Sequence, residues 1–247
     1  MGQYQAEAII LSVRDWQEAD RMITLLSRDQ GKISAIAYGA RRTRSRLAGS
    51  VQTFAHVDIS LLPGKNIDSV AQCEVRRSFR ELREDLNKMA YASLLSELGS
   101  ELWPEREPEP AAFEVLLGAM GLMLEKNPRL VTLAGAWQLL SLAGFHPEYE
   151  KCVTCGQVLD LPVHFDAEAG GGICLTCDHS HPPNFDEPMC AFIDHLLNVN
   201  WKNPAPFKVS GAALMKAERL LIDFIAHRLD KPLKSVAFIQ HMMLTNP

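Results

Sequence analysis

The chain has 247 residues, of which 47% are hydrophobic and 22% are charged, and this composition is that of an ordinary globular protein. Its length excludes a single minimal domain and fits one large domain or two to three small ones. The formal net charge of −5 gives no global sign of a nucleic-acid partner.

The charge is unevenly distributed along the chain. Residues 1–80 hold 12 basic and 8 acidic side chains, whereas the remainder holds 13 basic and 22 acidic ones. A basic front and an acidic rear favour different roles for the two parts, with chance asymmetry as the alternative.

The start of the chain predicts a cytoplasmic protein. Met1–Glu7 is polar, and the apolar run Ala8–Val13 is too short for a signal-peptide core or a membrane span. We therefore expect no membrane partner. In a reducing compartment, six cysteines indicate metal binding or core packing rather than disulfides.

The first 80 residues predict five β-strands separated by turn signals. The predicted strands are Glu7–Trp16, Arg21–Leu26, Lys32–Tyr38, Val51–Leu62 and Ile67–Val75. Five strands in about 75 residues, with a loop between the third and fourth, predict a small OB-type barrel. An SH3-like barrel would give a similar pattern.

From Arg80 onwards the apolar spacing becomes helical. The predicted helices are Arg80–Trp103, Ala111–Lys126, Leu130–Ala143, Glu187–Val199, Ser210–Arg228 and Leu233–Leu244, with Ser210 as an N-cap and Gly144 as a C-cap.

The segment 151–184 has no long apolar period and contains Gly170–Gly172 and Pro182-Pro183. The predicted fold class is therefore α+β and multidomain. It has an OB-type barrel at 1–80 and an all-α domain in two parts, 81–150 and 185–247. A four-cysteine zinc module at 151–184 is inserted into the all-α domain.

Two CxxC pairs predict this zinc site. They are Cys152/Cys155 and Cys174/Cys177, with 18 residues between the pairs. Each pair supplies two thiolates to a tetrahedral ion, and the polar segment between them is too short to fold without metal. Four thiolates leave no open position, so we expect one structural Zn²⁺ and no catalytic role.

Other possible ligands near the pairs are histidines. His164, His179 and His181 are expected to be exposed rather than to replace a cysteine. Cys73 and Cys190 lie in apolar surroundings and are expected to be buried thiols.

A basic loop follows the third predicted strand. Arg41, Arg42, Arg44 and Arg46 place four guanidinium groups within six residues, and Arg76 and Arg77 extend the basic set at the end of the fifth strand. Such a loop on a barrel favours contact with a phosphate backbone. The alternative is a solvated loop paired with nearby carboxylates.

Few aromatic residues flank the loop. Tyr38 and Phe54 lie beside it, and the alternation of Phe54 with its neighbours favours core packing. We therefore expect mainly electrostatic binding that does not depend on the base sequence.

Sequence motifs of common enzymes are absent. The chain contains no Walker A loop, GxGxxG, GxSxG, HExxH or kinase signature. The residues leave three hypotheses open: a nucleic-acid-binding protein without turnover, a zinc-containing protein–protein adaptor without DNA contact, and a metalloenzyme in which His179 or His181 replaces a cysteine.

In chain order, these residues resemble the RecO family of bacterial DNA repair and recombination mediators. The likeness rests on Glu18-Ala19-Asp20-Arg21, Thr24-Leu25-Leu26, Gly31-Lys32, Gly39–Arg42, Ser45-Arg46-Leu47, Phe54, Ala71–Glu74, Leu139-Leu140, Gly144-Phe145, Pro147, Cys152–Gly156 and Leu233-Lys234-Ser235.

The resemblance implies a fold and a set of partners. It implies an OB-fold, a helical domain and an inserted zinc module that together bind single- and double-stranded DNA and anneal complementary strands. It implies pairing with RecR to load RecA onto DNA coated by single-stranded-DNA-binding protein, without enzymatic turnover, on the bacterial nucleoid. It also implies that Arg41, Arg42, Arg44 and Arg46 face DNA and that the four paired cysteines bind zinc.

The resemblance further implies that the helical domain recognises the acidic, Phe-ended tail of single-stranded-DNA-binding protein. Family members often carry Phe-Glu and basic residues in the helix before the zinc module, where this chain has Trp137-Gln138 and no Lys or Arg. The cations for such a tail would have to come from Lys126, Arg129 or Arg219.

Overall fold

A computed structural model describes residues 2–206 and 208–245, with the side chains of 243–245 excepted. Residues 1, 207, 246 and 247 of the predicted first and last domains lie outside the described residues. The strands are β1 Tyr4–Trp16, β2 Asp20–Ser27, β3 Gly31–Ala37, β4 His56–Leu62, β5 Asp68–Arg77, β6 His164–Asp166 and β7 Gly171–Ile173. The helices are α1 Leu47–Ser50, α2 Arg80–Glu84, α3 Leu86–Glu101, α4 Pro110–Leu122, α5 Pro128–Leu142, α6 Glu187–Leu197, α7 Gly211–Arg228 and α8 Lys234–Thr245.

The first five strands form a closed barrel in the order β1-β2-β3-β5-β4. All neighbours are antiparallel except β3 and β5, which close the barrel through two parallel pairs. Alternate residues such as Ala8 and Ile10 of β1 point into the barrel, as the period of two requires. Ile9 and Leu11 face the helices on the other side of β1, and a bulge between Ile10 and Ser12 makes Val13, rather than Ser12, the next residue packed against the barrel core. The predicted barrel followed by a helical region is confirmed.

The fourth strand is shorter than predicted. It begins at His56, and Val51–Ala55 forms irregular structure after the short helix α1. Phe54 has a φ of +71° and donates its backbone N–H to the carbonyl of Ile10 at 2.7 Å. Its side chain is buried, as predicted. The apolar pattern of this segment reflects the closing of one barrel end rather than a strand.

The first predicted helix is divided at Asp85. The backbone of Asp85 is extended, and its carboxylate accepts the N–H of Lys88 at 3.0 Å to cap α3. The predicted caps at Ser210 and Gly144 are confirmed. Ser210 accepts the N–H of Ala213 at 3.1 Å, and Gly144 has a φ of +87°.

The connection between α3 and α4 runs along the open part of β3. Arg106 donates its backbone N–H to the carbonyl of Lys32 at 3.0 Å, and the Ser34 hydroxyl donates to Glu105 at 2.5 Å. Gly31 has a φ of +69° and lies against the backbone of Glu107, where a side chain would clash. The charged connection is thus held on the barrel.

The outer face of the barrel packs into the apolar core of the helices, while the barrel interior forms a separate core. Ile9, Leu11 and Leu26 of the barrel belong to the same buried cluster as the central helices α3 and α5. Phe165 and Phe185, which lie around the cysteine segment, belong to this cluster too. None of the helices in the described ranges has the length and apolar character needed to cross a bilayer.

Candidate nucleic-acid interface and metal centre

The basic loop crosses the end of the barrel and is anchored by its small apolar residues. Ala40 and Val51 are fully buried in the barrel core, and Leu47 packs against that core. The arginines between these anchors point outward because the apolar positions occupy the interior. The loop is therefore a fixed surface with exposed guanidinium groups.

Arg41 holds the loop against the β1–β2 turn. Its guanidinium donates to the backbone carbonyls of Gln17 and Glu18 at 3.2 Å and lies 3.3 Å from the Asp15 carboxylate. Its backbone N–H donates to Ala19 at 2.9 Å. Arg41, predicted to face DNA, is thus already engaged with its own chain.

Arg42, Arg44 and Arg46 are exposed and have no carboxylate partner among the described residues. Their charge is not neutralised locally, unlike that of Arg41. Three cations without a carboxylate partner in the described part of the chain thus lie on one anchored loop and give this end of the barrel a local excess of positive charge. We call these three residues the free arginines.

Arg76 and Arg77 project from the end of β5 and differ from the free arginines. Arg76 pairs with Glu7 at 3.0 Å and with Asp58 at 2.7 Å. The hydrogen bond to Asp58 raises the pKa of Arg76 above its usual value. Arg77 lies 4.6 Å over the ring of Phe79. As DNA contacts, both residues stay a prediction, and Arg76 would first have to leave two carboxylates.

An exposed tryptophan near the loop was missed from the sequence. Trp16 ends β1 and is exposed, as is Tyr38 directly after β3. Strict alternation from Ala8 and Ile10 would point Trp16 into the barrel, and the bulge after Ile10 reverses the faces, so the sequence carried no signal for this exposed ring. Phe54 is buried, as predicted, whereas Tyr38 and Trp16 are exposed aromatic residues near the loop.

The four paired cysteines come together in one cluster. Each contributes a Sγ atom, and all four atoms lie within 4.8 Å of one another. Cys155 and Cys174 are 3.7 Å apart, close to the separation of about 3.8 Å between thiolates in a tetrahedral zinc site. These residues can hold a metal ion, and the all-sulfur donor set fits Zn²⁺.

Backbone N–H groups prepare the site for thiolates. Burial alone would raise the pKa of Cys152, but N–H groups of Cys174, Cys155 and Thr154 lower it to about 6. The pKa of Cys177 is raised to about 12 by hydrogen bonds with Cys174 and Cys155. Proton sharing of this kind is expected where thiols converge on one point, and ion binding would displace the protons.

The cysteine segment is fastened to the helices by glycines and one arginine. A side chain at Gly171 would clash with the backbone of Glu148, and one at Gly170 would clash with Arg228. Arg228 of α7 donates to the carbonyl of Glu168 at 3.0 Å and lies 4.6 Å over Phe224. The cysteine cluster is therefore packed against the helical core.

Histidines near the site form a separate group. His164, Asp178 and His181 bring one ligand atom each within 4.8 Å of one another, apart from the four cysteines. The Asp178 carboxylate accepts the N–H and hydroxyl of Ser180 and Nδ1 of His181 at 2.9 Å. These hydrogen bonds order the turn after Cys177.

Comparison with known proteins identifies the family. Residues 1–79 match the family described as recombination protein O N terminal, and residues 83–237 match recombination protein O C terminal. A DNA repair protein RecO of Symbiobacterium thermophilum is 35% identical over 246 residues, covering 97% of both chains. The chain belongs to the RecO family.

Other RecO relatives are similar over the same length. The DNA repair protein RecO of Pelotomaculum thermopropionicum is 32% identical, with 96% of this chain and 93% of the relative covered. That of a Nocardioides species is 32% identical, with 96% and 99% covered. The likeness stated from the sequence is confirmed, and the barrel and cysteine cluster are those of a RecO fold.

The three cations considered for the acidic tail lie in different surroundings. Arg129 forms an ion pair with Glu218, and Arg219 lines a cleft of about 350 Å³ beside Phe165. Lys126 follows α4 and is exposed. Of these, Arg219 and Lys126 have no ion pair among the described residues, so the tail site stays a prediction.

The two remaining cysteines of this RecO chain are only partly buried. Cys73 and Cys190 keep some solvent exposure, in contrast to the prediction of burial. Cys73 lies on β5 under α1, where its thiol is 3.9 Å from the carbonyl of Ser50. Burial raises the pKa of both thiols, which keeps them protonated near neutral pH.

Proposed function

We propose that this RecO-family protein binds single- and double-stranded DNA through the free arginines Arg42, Arg44 and Arg46. The observation that carries the proposal is their local charge balance. They are exposed and have no acidic partner among the described residues, whereas Arg76 of the same barrel is neutralised. An anchored surface of this kind contacts phosphates at little cost in loop ordering.

The charge count sets a measurable expectation. Each arginine that contacts a phosphate releases a counterion, and the slope of log affinity against log salt is about −0.7 per contact for single strands. The free arginines therefore contribute a slope of about −2, and their removal weakens binding about 100-fold near 0.1 M salt.

The test is a salt titration of binding to a fluorescent single-stranded oligonucleotide, read by anisotropy. The variant changes Arg42, Arg44 and Arg46 to Ala. The control changes three exposed lysines to Ala: Lys65, Lys202 and Lys208. We expect the arginine variant to lose affinity and slope while the control keeps both, although their net charges are equal.

The finer role follows from family membership and the same surface. We propose that the protein anneals complementary strands, because cations on one surface screen two phosphate backbones at once. We propose RecR as its partner in loading RecA onto DNA coated by single-stranded-DNA-binding protein. It does so without turnover chemistry, in the bacterial cytoplasm and on nucleoid DNA.

Annealing can be measured directly. Two complementary labelled oligonucleotides, one coated with single-stranded-DNA-binding protein, are mixed with the wild type, the arginine variant or the lysine control. We expect acceleration by the wild type and the control only. If a folded wild type binds no DNA and accelerates nothing, the protein–protein adaptor becomes the better reading.

Zn²⁺ is proposed as the ion of the four cysteines, with a structural role. Cys152, Cys155, Cys174 and Cys177 supply a complete tetrahedral sulfur set. The bound ion would fix the chain ends of the cysteine segment, and no water position is left for hydrolysis. Metal analysis of the purified protein should give one zinc per chain.

A further inference from the structure

Two exposed aromatic rings lie in one row across the end of the barrel. Trp16 of β1 is paired with Asp20 of β2, and Arg21 of β2 is paired with Ala37 of β3. Tyr38 follows Ala37 and so lies beside Asp20. Directly paired residues of neighbouring strands share a face, so Trp16 and Asp20 both lie on the outer face, and Tyr38 is exposed at the turn that follows β3.

The rings are open to solvent, unlike most large aromatics of this chain. Tyr38 is 60% exposed and Trp16 is 37% exposed. Neither makes a ring contact or a side-chain hydrogen bond among the described residues. By contrast, the hydroxyl of Tyr91 donates to Glu218 at 2.9 Å. Nothing in the fold of the described ranges accounts for the exposure of these two rings.

The row is rigid and joined to the basic loop. The N–H of Gly39, next to Tyr38, donates to the Asp20 carboxylate at 2.7 Å. Arg42 donates its backbone N–H to the carbonyl of Gly39 at 3.0 Å, so the first free arginine starts one turn after the tyrosine. The β1–β2 turn beyond Trp16 is held by Arg41.

A further cation lies on the same face. Arg14 is two residues before Trp16, is exposed, and has no carboxylate partner among the described residues. Its Nε lies 3.2 Å from the sulfur of Met22 instead. The rings are thus flanked by unpaired guanidinium groups on both sides, at Arg14 and at Arg42.

We propose that Trp16 and Tyr38 each stack on an unpaired base of a DNA strand whose phosphates contact Arg14 and the free arginines. The inference rests on the proposed DNA binding and adds the chemical class preferred at this end of the barrel, which is single-stranded nucleic acid. Two strand spacings separate the rings by about 10 Å, so each ring receives a different base.

The two rings distinguish single-stranded DNA from duplex DNA. Base faces are accessible in a single strand but are covered by their neighbours in a duplex. Arginine–phosphate contacts form with either. The two rings therefore strengthen binding to unpaired strands alone, and release of a strand is favoured once it has found its complement.

The test measures the affinities of one double variant and one control double variant for three ligands. The variant Trp16→Ala/Tyr38→Ala removes both rings, and the control Leu86→Ala/Phe238→Ala removes exposed apolar side chains from the helices. The ligands are a mixed-sequence single strand, an abasic deoxyribose-phosphate strand of equal length, and a duplex. Affinities are measured by anisotropy, with urea unfolding as a check of the fold.

Stacking contributes a factor of about five or more per base. We expect the ring variant to bind the normal single strand about 25-fold or more weakly, and the abasic strand and duplex within about twofold of wild type. Phenylalanine at both positions should restore most of the single-strand affinity. The control should match wild type on all three ligands.

Two results would overturn the inference while leaving the proposed function intact. One is unchanged single-strand affinity in the ring variant. The other is an equal loss on all three ligands, which would indicate a general effect on the surface. Absence of binding to any ligand by the wild type would instead overturn the proposed DNA binding, and the stacking with it.

Discussion

Arg129 of α5 forms an ion pair with Glu218 of α7 inside the helical domain, where Glu218 is only 6% exposed. The same carboxylate accepts a hydrogen bond from the hydroxyl of Tyr91 on α3. Glu218 of α7 therefore contacts polar side chains of both α3 and α5. Proximity to this carboxylate and burial raise the pKa of Tyr91, with burial the larger cause.

Loss of Arg129 should therefore destabilise the helical domain. Arg129→Ala leaves a buried carboxylate with a single donor, and the free energy of unfolding should fall by about 3 kcal/mol. Arg219→Ala changes an exposed arginine next to Glu218 and should stay within about 0.5 kcal/mol. Urea unfolding monitored by circular dichroism compares the two. Equal effects would show that the buried pair has no special role.

Removal of the proposed zinc ion should destabilise more than the cysteine segment, because Phe165 and Phe185 belong to the apolar core of the helices. A chelator or Cys174→Ser should lower the free energy of unfolding by about 3 kcal/mol or more, and the melting temperature by at least about 6 °C. Cys190→Ser is the control, since Cys190 lies outside the cluster. Calorimetry measures both, and an unchanged melting temperature after verified zinc loss would contradict the coupling.

Glu7 should make the barrel sensitive to acid. Burial alone would raise its pKa, but hydrogen bonds and charge from Arg28, together with His56 and Arg76, lower it below its ordinary value. A carboxyl group with a lowered folded pKa stabilises the protein above its unfolded pKa of about 4.3, and this stabilisation is lost as the pH falls through the folded value.

Glu7→Gln should thus cost about 2 kcal/mol at pH 7, and the difference from wild type should shrink below about pH 4.3. Glu125→Gln changes an exposed glutamate and provides the control. Denaturant titrations at several pH values measure the difference. A gap that stays constant down to pH 3 would argue against an ionised Glu7 as its source.

Substitution of Arg41 should lower the stability of the protein, whereas substitution of Arg44 should weaken its binding to DNA. Arg41→Ala removes the hydrogen bonds to Gln17 and Glu18 and should cost about 1 kcal/mol of stability. Arg44→Ala should leave stability within about 0.5 kcal/mol and weaken DNA binding about fivefold. Thermal melting curves measure the stability of both variants, and fluorescence anisotropy measures their affinity for DNA on the same preparations. Similar stability losses in both variants would remove the distinction between an anchoring and a free arginine.

The sequence anticipated the elements that depend on local pattern. β-rich runs separated by turn signals predicted β1 to β3, and the spacing of Cys152, Cys155, Cys174 and Cys177 predicted their cluster. Both signals arise from short-range geometry, of a strand in one case and of a metal knuckle in the other. The helix caps at Ser210 and Gly144 were predictable for the same reason.

What the sequence did not show depends on long-range contacts. Val51–Leu62 was predicted as one strand from the alternation of Val57, Ile59 and Leu61, but Val51 packs into the barrel core and Phe54 into the helical core before the strand begins. The pairing of Arg76 with Glu7, 69 residues earlier, has no local signal. Counting arginines therefore cannot distinguish those free to bind phosphates from those already neutralised.

The connection that carries Arg106 has a consequence for dissecting the protein. It covers backbone groups of β3 around Lys32 that no other strand takes up, while the helices cover Ile9, Leu11 and Leu26. A fragment ending near Arg80 would expose both the strand edge and this apolar patch. Such fragments would join edge to edge and precipitate. The isolated barrel is therefore expected to be poorly soluble, and the proposed DNA binding is best measured on the whole chain.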